Sequence, residues 1–395
     1  MGISAVSAVS TASSFPLVAI GQRGQSNSCD AAALEDGAKA YLTGMLDLQP
    51  GQRVFVVYDA ANKKIAKAFQ KAAEKIGAEV VLYNIGKNRF NQQGLEAIFT
   101  EITDQPQILI NDTQFKQFQA DASRGAAQGK VAAKYDLFLN FVTLPDADHQ
   151  GRVKLVDAQI ALGQATKTVR TGHGPGVTRE MVCARPDFAS MSARVSQLED
   201  VLENAQTVRI TSALGTDITL QITGRSPAND VTIGPGSAAN IPGGELYLAA
   251  IEDGANGVMI VDTPVLSAPL SSPIRIELKN GKVVAASWLD ADRAGAAKDL
   301  DEIIKMITID SSANVIGEFG IGLAPFPVID NALQNEKAAG TVHLGLGNNQ
   351  DAPGGQNTSD GHLDFILPDV TVKITYTPES GQSSQIIMQD GQWRL

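Results

Sequence analysis

From Ala31 onward the hydrophobic positions fall into a repeating rhythm. Ala31 to Leu46 follows helical spacing, Gln49-Pro50-Gly51 is a turn signal, and Arg53-Val54-Phe55-Val56-Val57-Tyr58 is apolar on both faces. A strand buried inside a parallel sheet has that last pattern. Ala61 to Ile76 reads as an amphipathic helix rich in Ala and Lys, stopped by Gly77, and Glu79 to Asn84 as the next strand. The same reading predicts helices over Gln93 to Ile102, Phe115 to Gly129 and Gly151 to Leu162, with strands at Gln107 to Ile110 and Leu137 to Val142. Strands alternating with helices imply parallel βαβ units, so residues 31–183 are expected to form an open α/β sheet domain.

The rhythm changes near Pro186. Asp187 to Asn204 reads as one long helix with Asp187 as its cap, and the chain then becomes β-rich. Strands are expected at Thr207 to Thr211, Asp217 to Ile222, Gly257 to Val261, Ile274 to Leu278 and Val283 to Ser287. Asn280-Gly281 marks a hairpin, and one helix spans Arg293 to Ile307. The boundary is expected within 184–206, with residues 184–395 forming an α+β domain. Residues 1–30 are rich in Ser, Ala and Gly and lack a basic start followed by a long apolar core, so they read as a flexible leader rather than a secretory signal.

Composition narrows the function. The chain has 395 residues, 43% hydrophobic and 19% charged, which suits a soluble protein of two domains. A net charge of −11 without a basic cluster argues against nucleic acid. No apolar run reaches the roughly 18 residues of a membrane span. Cys29 and Cys183 stand in no metal-ligand spacing and read as two free thiols, which points to a reducing, cytoplasmic setting. The first strand-to-helix link, Tyr58-Asp59-Ala60-Ala61-Asn62, is neither a dinucleotide fingerprint nor a phosphate loop. The α/β domain therefore reads as scaffold.

The residues able to do chemistry gather in the second half. Of four histidines, His343 and His362 share one Gly-rich stretch. His362 and Asp364 are two apart in a strand-like run, so an imidazole and a carboxylate point to the same face, a sound start for a divalent cation site. Glu318 in Gly317-Glu318-Phe319-Gly320 and Glu245 in Asn240-Ile241-Pro242-Gly243-Gly244-Glu245 each set a carboxylate among glycines, where backbone packs closely. Singly, each of these could be a structural ion pair or a surface polar group.

Together and in this order the five residues resemble the signature of the thermophilic-type metallo-aminopeptidases, typified by aminopeptidase T and aminopeptidase S, with Glu336 to His343 and Leu46 to Tyr58 similar to a leucyl aminopeptidase-like branch. The likeness also includes Gly215-Thr216-Asp217 and covers about residues 31–395. It implies one or two divalent ions (zinc, cobalt or manganese) held by Glu245, Glu318, His343, His362 and Asp364, with Glu245 or Glu318 as general base. It further implies hydrolysis of the N-terminal residue of short peptides and a homodimer. One departure stands out: no Tyr lies between His343 and His362, where these peptidases carry one. A related group, the 2,5-dihydroxypyridine dioxygenases, uses two His and one carboxylate on iron(II), for which His343, His362 and Asp364 are the alternative set; a metal-binding homologue of altered activity is the other alternative.

The remaining candidates are weaker. His173, Arg170 and Arg179 flank a Gly-rich loop and could hold a peptide terminus, but read by default as surface groups, as does His149 at a helix start. Trp288 and Trp393 read as packing. HExxH and nucleophile-elbow patterns are absent.

Overall fold

The computed structural model describes residues 29–86, 92–143, 149–265, 269–290 and 295–395, of which 149–153 and 297 are described by their backbone alone. Up to residue 28 the expected leader lies outside the described residues. The strands are β1 (Arg53–Tyr58), β2 (Glu79–Asn84), β3 (Leu137–Phe141), β4 (Arg170–His173), β5 (Ala205–Thr211), β6 (Asp217–Gln221), β7 (Ala228–Asn229), β8 (Ala238–Asn240), β9 (Glu245–Ala249), β10 (Asn256–Val261), β11 (Ile274–Lys279), β12 (Lys282–Trp288), β13 (Ile316–Gly322), β14 (Thr341–Gly347), β15 (His362–Pro368), β16 (Thr371–Tyr376), β17 (Gln385–Gln389) and β18 (Gln392–Trp393).

The chain divides into two compact units. One takes the described residues from Cys29 to Ser190 together with Asp230–Gly243. Its sheet runs β2-β1-β3-β4-β8, every pair parallel. β1 and β3 are buried almost throughout, which is why they lack an apolar–polar alternation. The helix Lys63–Ile76 buries Ile65, Ala66, Phe69, Ala72 and Ala73 as one stripe, and Phe69 meets Phe141 with ring centroids 4.7 Å apart. Gly77 ends that helix at φ 100°, its N–H turned back to the carbonyls of Ala73 and Glu74.

Several expectations are corrected here. Gln107–Ile110 is not a strand: Pro106–Ile110 is a short helix, with Pro106 in its first turn and the Asn111 N–H bonded to the Gln107 carbonyl. A four-residue apolar run fits either element, and only Leu109 is buried, as one helical turn allows. Arg170 is not a surface group. It is buried, and its guanidinium donates to the Leu46 carbonyl at 2.7 Å and to Gln52 Oε1 at 2.6 Å, closing the end of the helical segment Tyr41–Met45. Residues 230–243, assigned from sequence to the second domain, return to this unit and add β8 to its sheet.

The two cysteines are not free thiols. Cys29 and Cys183 form a disulfide across 154 residues of chain. The helices Ala31–Ala40 and Arg179–Cys183 pack so closely that a side chain on Gly37 would strike the Val182 carbonyl, and this contact brings together residues far apart in sequence.

The other unit comprises Met191–Asn229 and Gly244–Leu395 and is antiparallel. An eight-stranded sheet runs β12-β11-β10-β6-β5-β16-β17-β18, and a five-stranded sheet runs β15-β14-β13-β9-β7. The β11–β12 hairpin turns at Asn280 and Gly281, both with positive φ, as the dipeptide predicts. The helix expected over Arg293 to Ile307 is described from Ala296 to Met306. No helix among the described residues is long and apolar enough to cross a membrane.

Closing a loop of this length restricts the unfolded chain. Reduction of Cys29–Cys183 is therefore expected to lower stability by about 2–4 kcal/mol, read from urea unfolding with and without reductant.

Candidate metal centre

The five-stranded sheet sorts its side chains by alternation. Leu246, Leu248, Phe319, Ile321, Leu344, Leu346, Phe365 and Leu367 are buried, and in sequence they occupy the positions between Glu245, Glu318, His343, His362 and Asp364. One face is thus apolar core and the other carries all five candidate ligands. Register completes the convergence. Glu318 pairs with Gly345, which pairs with Asp364; Gly320 pairs with His343; Gly322 pairs with Glu245; and Gly347 pairs with His362. A bulge at Gly317, between the pairings of Ile316 and Glu318, adjusts the strand where Glu318 leaves it.

The glycines in this pattern are spatial requirements. A Cβ on Gly320 would sit 2.0 Å from His343 Nε2, so the imidazole lies over that residue. A Cβ on Gly345 would meet Asp364 Oδ1 at 2.9 Å and Glu318 Cβ at 2.9 Å. Any larger residue at either position would occupy the space where the polar tips meet.

The tips form two groups. Glu245, Glu318 and His343 offer ligand atoms all within 4.8 Å of one another, and so do Glu318, His362 and Asp364. His343 Nε2 is 3.1 Å from Glu318 Oε1 and 3.3 Å from Glu245 Oε2. His362 Nε2 is 3.1 Å from Asp364 Oδ1 and 3.8 Å from Glu318 Oε2. Glu318 belongs to both groups, one oxygen turned to each imidazole. Carboxylate and imidazole donors of this kind suit a divalent cation of the first transition row.

The charges agree with that reading. Burial alone would lower the pKa of His343, but its hydrogen bond to Glu318 and the charges of Glu245, Asp364 and Glu318 outweigh burial and raise it from 6.5 to about 9. His362 is driven the same way: burial opposes its charged form, and Asp364 and Glu318 overcome it. Burial works to raise Asp364, but His362, His343 and Lys337 hold its carboxyl well below the usual range.

Two residues of this neighbourhood were not singled out as site residues from sequence. Lys337, the last residue of the helix Ala332–Lys337, has only 1% of its side chain exposed. Its ammonium pairs with Glu245 and, at 3.1 Å, with Glu336. Glu336 is buried, its carboxyl pushed up by burial and by Asp364 against the pull of Lys337 and His343. The available signal was their position, seven and six residues before His343, but surface charge is the ordinary reading of Glu-Lys at a helix end. Tyr247 falls on the same sheet face as Glu245, opposite Gly320.

The other candidates lie elsewhere. His173 ends β4, paired in register with Asn140 and Asn240, and joins neither group. Arg179 donates to the Cys29 carbonyl, Trp393 lies under the Arg194 guanidinium at 5.2 Å, and the side chain of His149 is outside the described residues.

Residues 185–393, the stretch that builds this face, match the model of the thermophilic metalloprotease family. The chain belongs to that family. Among solved structures it is similar to 2,5-dihydroxypyridine dioxygenase from Pseudomonas putida, with 17% identity, TM-score 0.60 and coverage of 92% of this chain and 97% of that one. It is likewise similar to wild-type AmpT from Thermus thermophilus, with 16% identity, TM-score 0.56 and coverage of 92% and 99%. No curated protein sequence matches it significantly. At such identities the two structures establish a shared fold, mixed α/β with one parallel and two antiparallel sheets. Membership of the metalloprotease family brings the expectation of divalent cations to this face.

Two outcomes are expected. Gly320→Ala should displace the His343 imidazole and weaken divalent-cation binding at least about tenfold, measured by calorimetric titration. In chelator-treated protein, the raised His343 pKa contributes stability that is complete below 6.5 and is lost as pH rises through about 9. The depressed Asp364 pKa contributes stability that is lost as pH falls below 3.8. The melting temperature should therefore decline between pH 6.5 and 9, and a saturating divalent cation should flatten that decline.

Proposed function

We propose that this chain is a metal-dependent aminopeptidase that removes the N-terminal residue of short peptides, using two divalent ions held by Glu245, Glu318, His343, His362 and Asp364. The observation that carries the reading is the sharing of Glu318 between two compact groups of donors. A carboxylate presenting one oxygen to each of two donor sets is suited to bridging a pair of ions. The family match supports the hydrolytic class.

Bound ions would supply an acidified water and polarise the scissile carbonyl. The chain's own residues have the remaining tasks. Lys337 holds one oxygen of Glu245, leaving the other directed at His343. Asp364 and the Asn348 carbonyl grip the two nitrogens of His362 and fix its ring. Glu336 is a buried carboxylate outside both donor groups, yet close enough to feel Asp364 and His343. Glu245 and Glu318, either of which the resemblance implies as general base, both serve as ligands in this reading, so Glu336 is the carboxylate left to accept and return a proton.

The single-iron alternative needs His343, His362 and Asp364 around one ion. Among the described residues those three do not form a compact group; each histidine joins a different set, with Glu318 between them.

Elemental analysis with a Leu-amide assay tests the reading. Wild type should hold two divalent ions per chain and hydrolyse the amide, and His362→Ala should lose one ion and the activity. Glu336→Gln should keep both ions while kcat falls roughly 10²–10⁴-fold. One iron per chain with oxygen uptake on 2,5-dihydroxypyridine would instead establish the oxygenase.

A further inference from the structure

The loop between β14 and β15, Asn348 to Gly361, contains no regular secondary structure, yet it supplies the carbonyl that fixes a candidate ligand. His362 Nδ1 lies 2.7 Å from the Asn348 oxygen. A carbonyl oxygen only accepts, so Nδ1 carries the proton and Nε2 is the nitrogen turned to Asp364 and Glu318. Backbone bonds from Asn348 N–H to the Gly361 carbonyl at 2.8 Å and from Asn349 N–H to the Asn357 carbonyl at 3.2 Å close the loop on itself, and side chains anchor it to its surroundings.

Those side chains meet at Glu252, in the turn after β9. Its Oε1 accepts from the Asn349 side-chain amide at 2.9 Å and from the Gln356 backbone N–H at 2.8 Å, gripping both limbs of the loop with one atom. Its Oε2 is held by Arg225 Nη2 at 2.6 Å, and the Arg225 side chain is only 9% exposed. Asn349, itself buried, also donates to the Gly317 carbonyl at 3.3 Å and accepts from Asn357 N–H at 2.8 Å. Asn357 in turn donates to the carbonyls of Gly347 at 2.7 Å and Ser312 at 3.0 Å. Gly317 is the bulge residue next to Glu318, so the network reaches β13 and β14 as well as His362. None of Arg225, Glu252, Asn349 or Gln356 belongs to either donor group.

We propose that Glu252, clamped by Arg225, is a positioning residue for His362: through Asn349 and Gln356 it holds the loop whose Asn348 carbonyl orients that imidazole toward the Glu318–His362–Asp364 ion position. The proposal rests on the two-ion reading above. It assigns this couple to one ion position, because His362, the residue that the Asn348 carbonyl holds, belongs to the Glu318–His362–Asp364 group and not to the other. Losing the couple leaves the Asn349 amide, the Gln356 N–H and the Arg225 guanidinium without their shared acceptor, and the loop that carries the Asn348 carbonyl is left with its backbone bonds and the Asn349 and Asn357 contacts to hold it.

The test titrates Mn²⁺ into chelator-stripped full-length wild type, Glu252→Gln and His362→Ala, following each binding step by calorimetry and the His362 Nδ1–H by NMR. Glu252→Gln is expected to weaken one step by about 10–100-fold, leave the other in place and shift or broaden the His362 signal. Loss of general stability alone would not select one step. Two unchanged steps in Glu252→Gln, with one step missing in His362→Ala, overturn the positioning role while the two-ion reading stands. Wild-type binding in a single step, or unaltered binding in His362→Ala, overturns both. If Glu252→Gln does not fold, Arg225→Lys is titrated in its place: selective weakening of one step supports the couple, and two unchanged steps overturn it.

Discussion

The site depends on interleaving positive charge among carboxylates on one face of one sheet. Two carboxylates about 4 Å apart near a protein surface repel by roughly 4 kcal/mol at an effective dielectric of 20. Here Glu245, Glu318 and Asp364 approach one another with Glu336 close behind. Such an assembly persists only with compensation. Lys337 is the fixed part, an almost fully buried ammonium between Glu245 and Glu336. The variable part is whatever the imidazoles hold, protons or divalent cations. The raised pKa of His362 and the depressed one of Asp364 are one fact seen from two sides.

The geometry that gathers these groups is also economical. Sheet strands lie about 4.8 Å apart, so side chains on neighbouring strands meet directly, while those two strands apart meet only over a residue that gives way. Asp364 and Glu318 are two strands apart, with Gly345 between them in register. Tyr247 and His343 flank Gly320 in the same way, and His343 leans over that glycine toward Glu318 and Glu245. Each donor group is thus assembled over a missing side chain, and the opposite face anchors the sheet through Phe319, Leu344 and Phe365.

This explains what was legible in the sequence. His362-x-Asp364 could be read because a period of two fixes a common face, and Glu245 and Glu318 because glycines around a lone carboxylate are unusual unless something must approach. The strands that carry Glu318 and His343 were harder to see from pattern alone: glycine at alternate positions removes the contrast by which a strand is recognised. What remained hidden was non-local. The Cys29–Cys183 bond, the burial of Arg170 and the return of residues 230–243 to the first sheet all depend on packing between segments far apart in the chain. Lys337 was hidden for a different reason, since nothing local marks a lysine that trades hydration for two carboxylates.

Likeness of fold does not choose between the two chemistries, because the chain resembles 2,5-dihydroxypyridine dioxygenase and AmpT about equally well. The choice falls to the occupancy of individual face positions. A mononuclear site asks for two imidazoles and one carboxylate converging on a point, with other positions left open for substrate and oxygen. Here Glu318 stands between the imidazoles and presents an oxygen to each, while Glu245 and Asp364 close the outer sides. Two ions would give each of the two donor groups a cation of its own, with Glu318 common to both. The sharing of Glu318 between two donor groups is therefore what the proposed two-ion reading stands on.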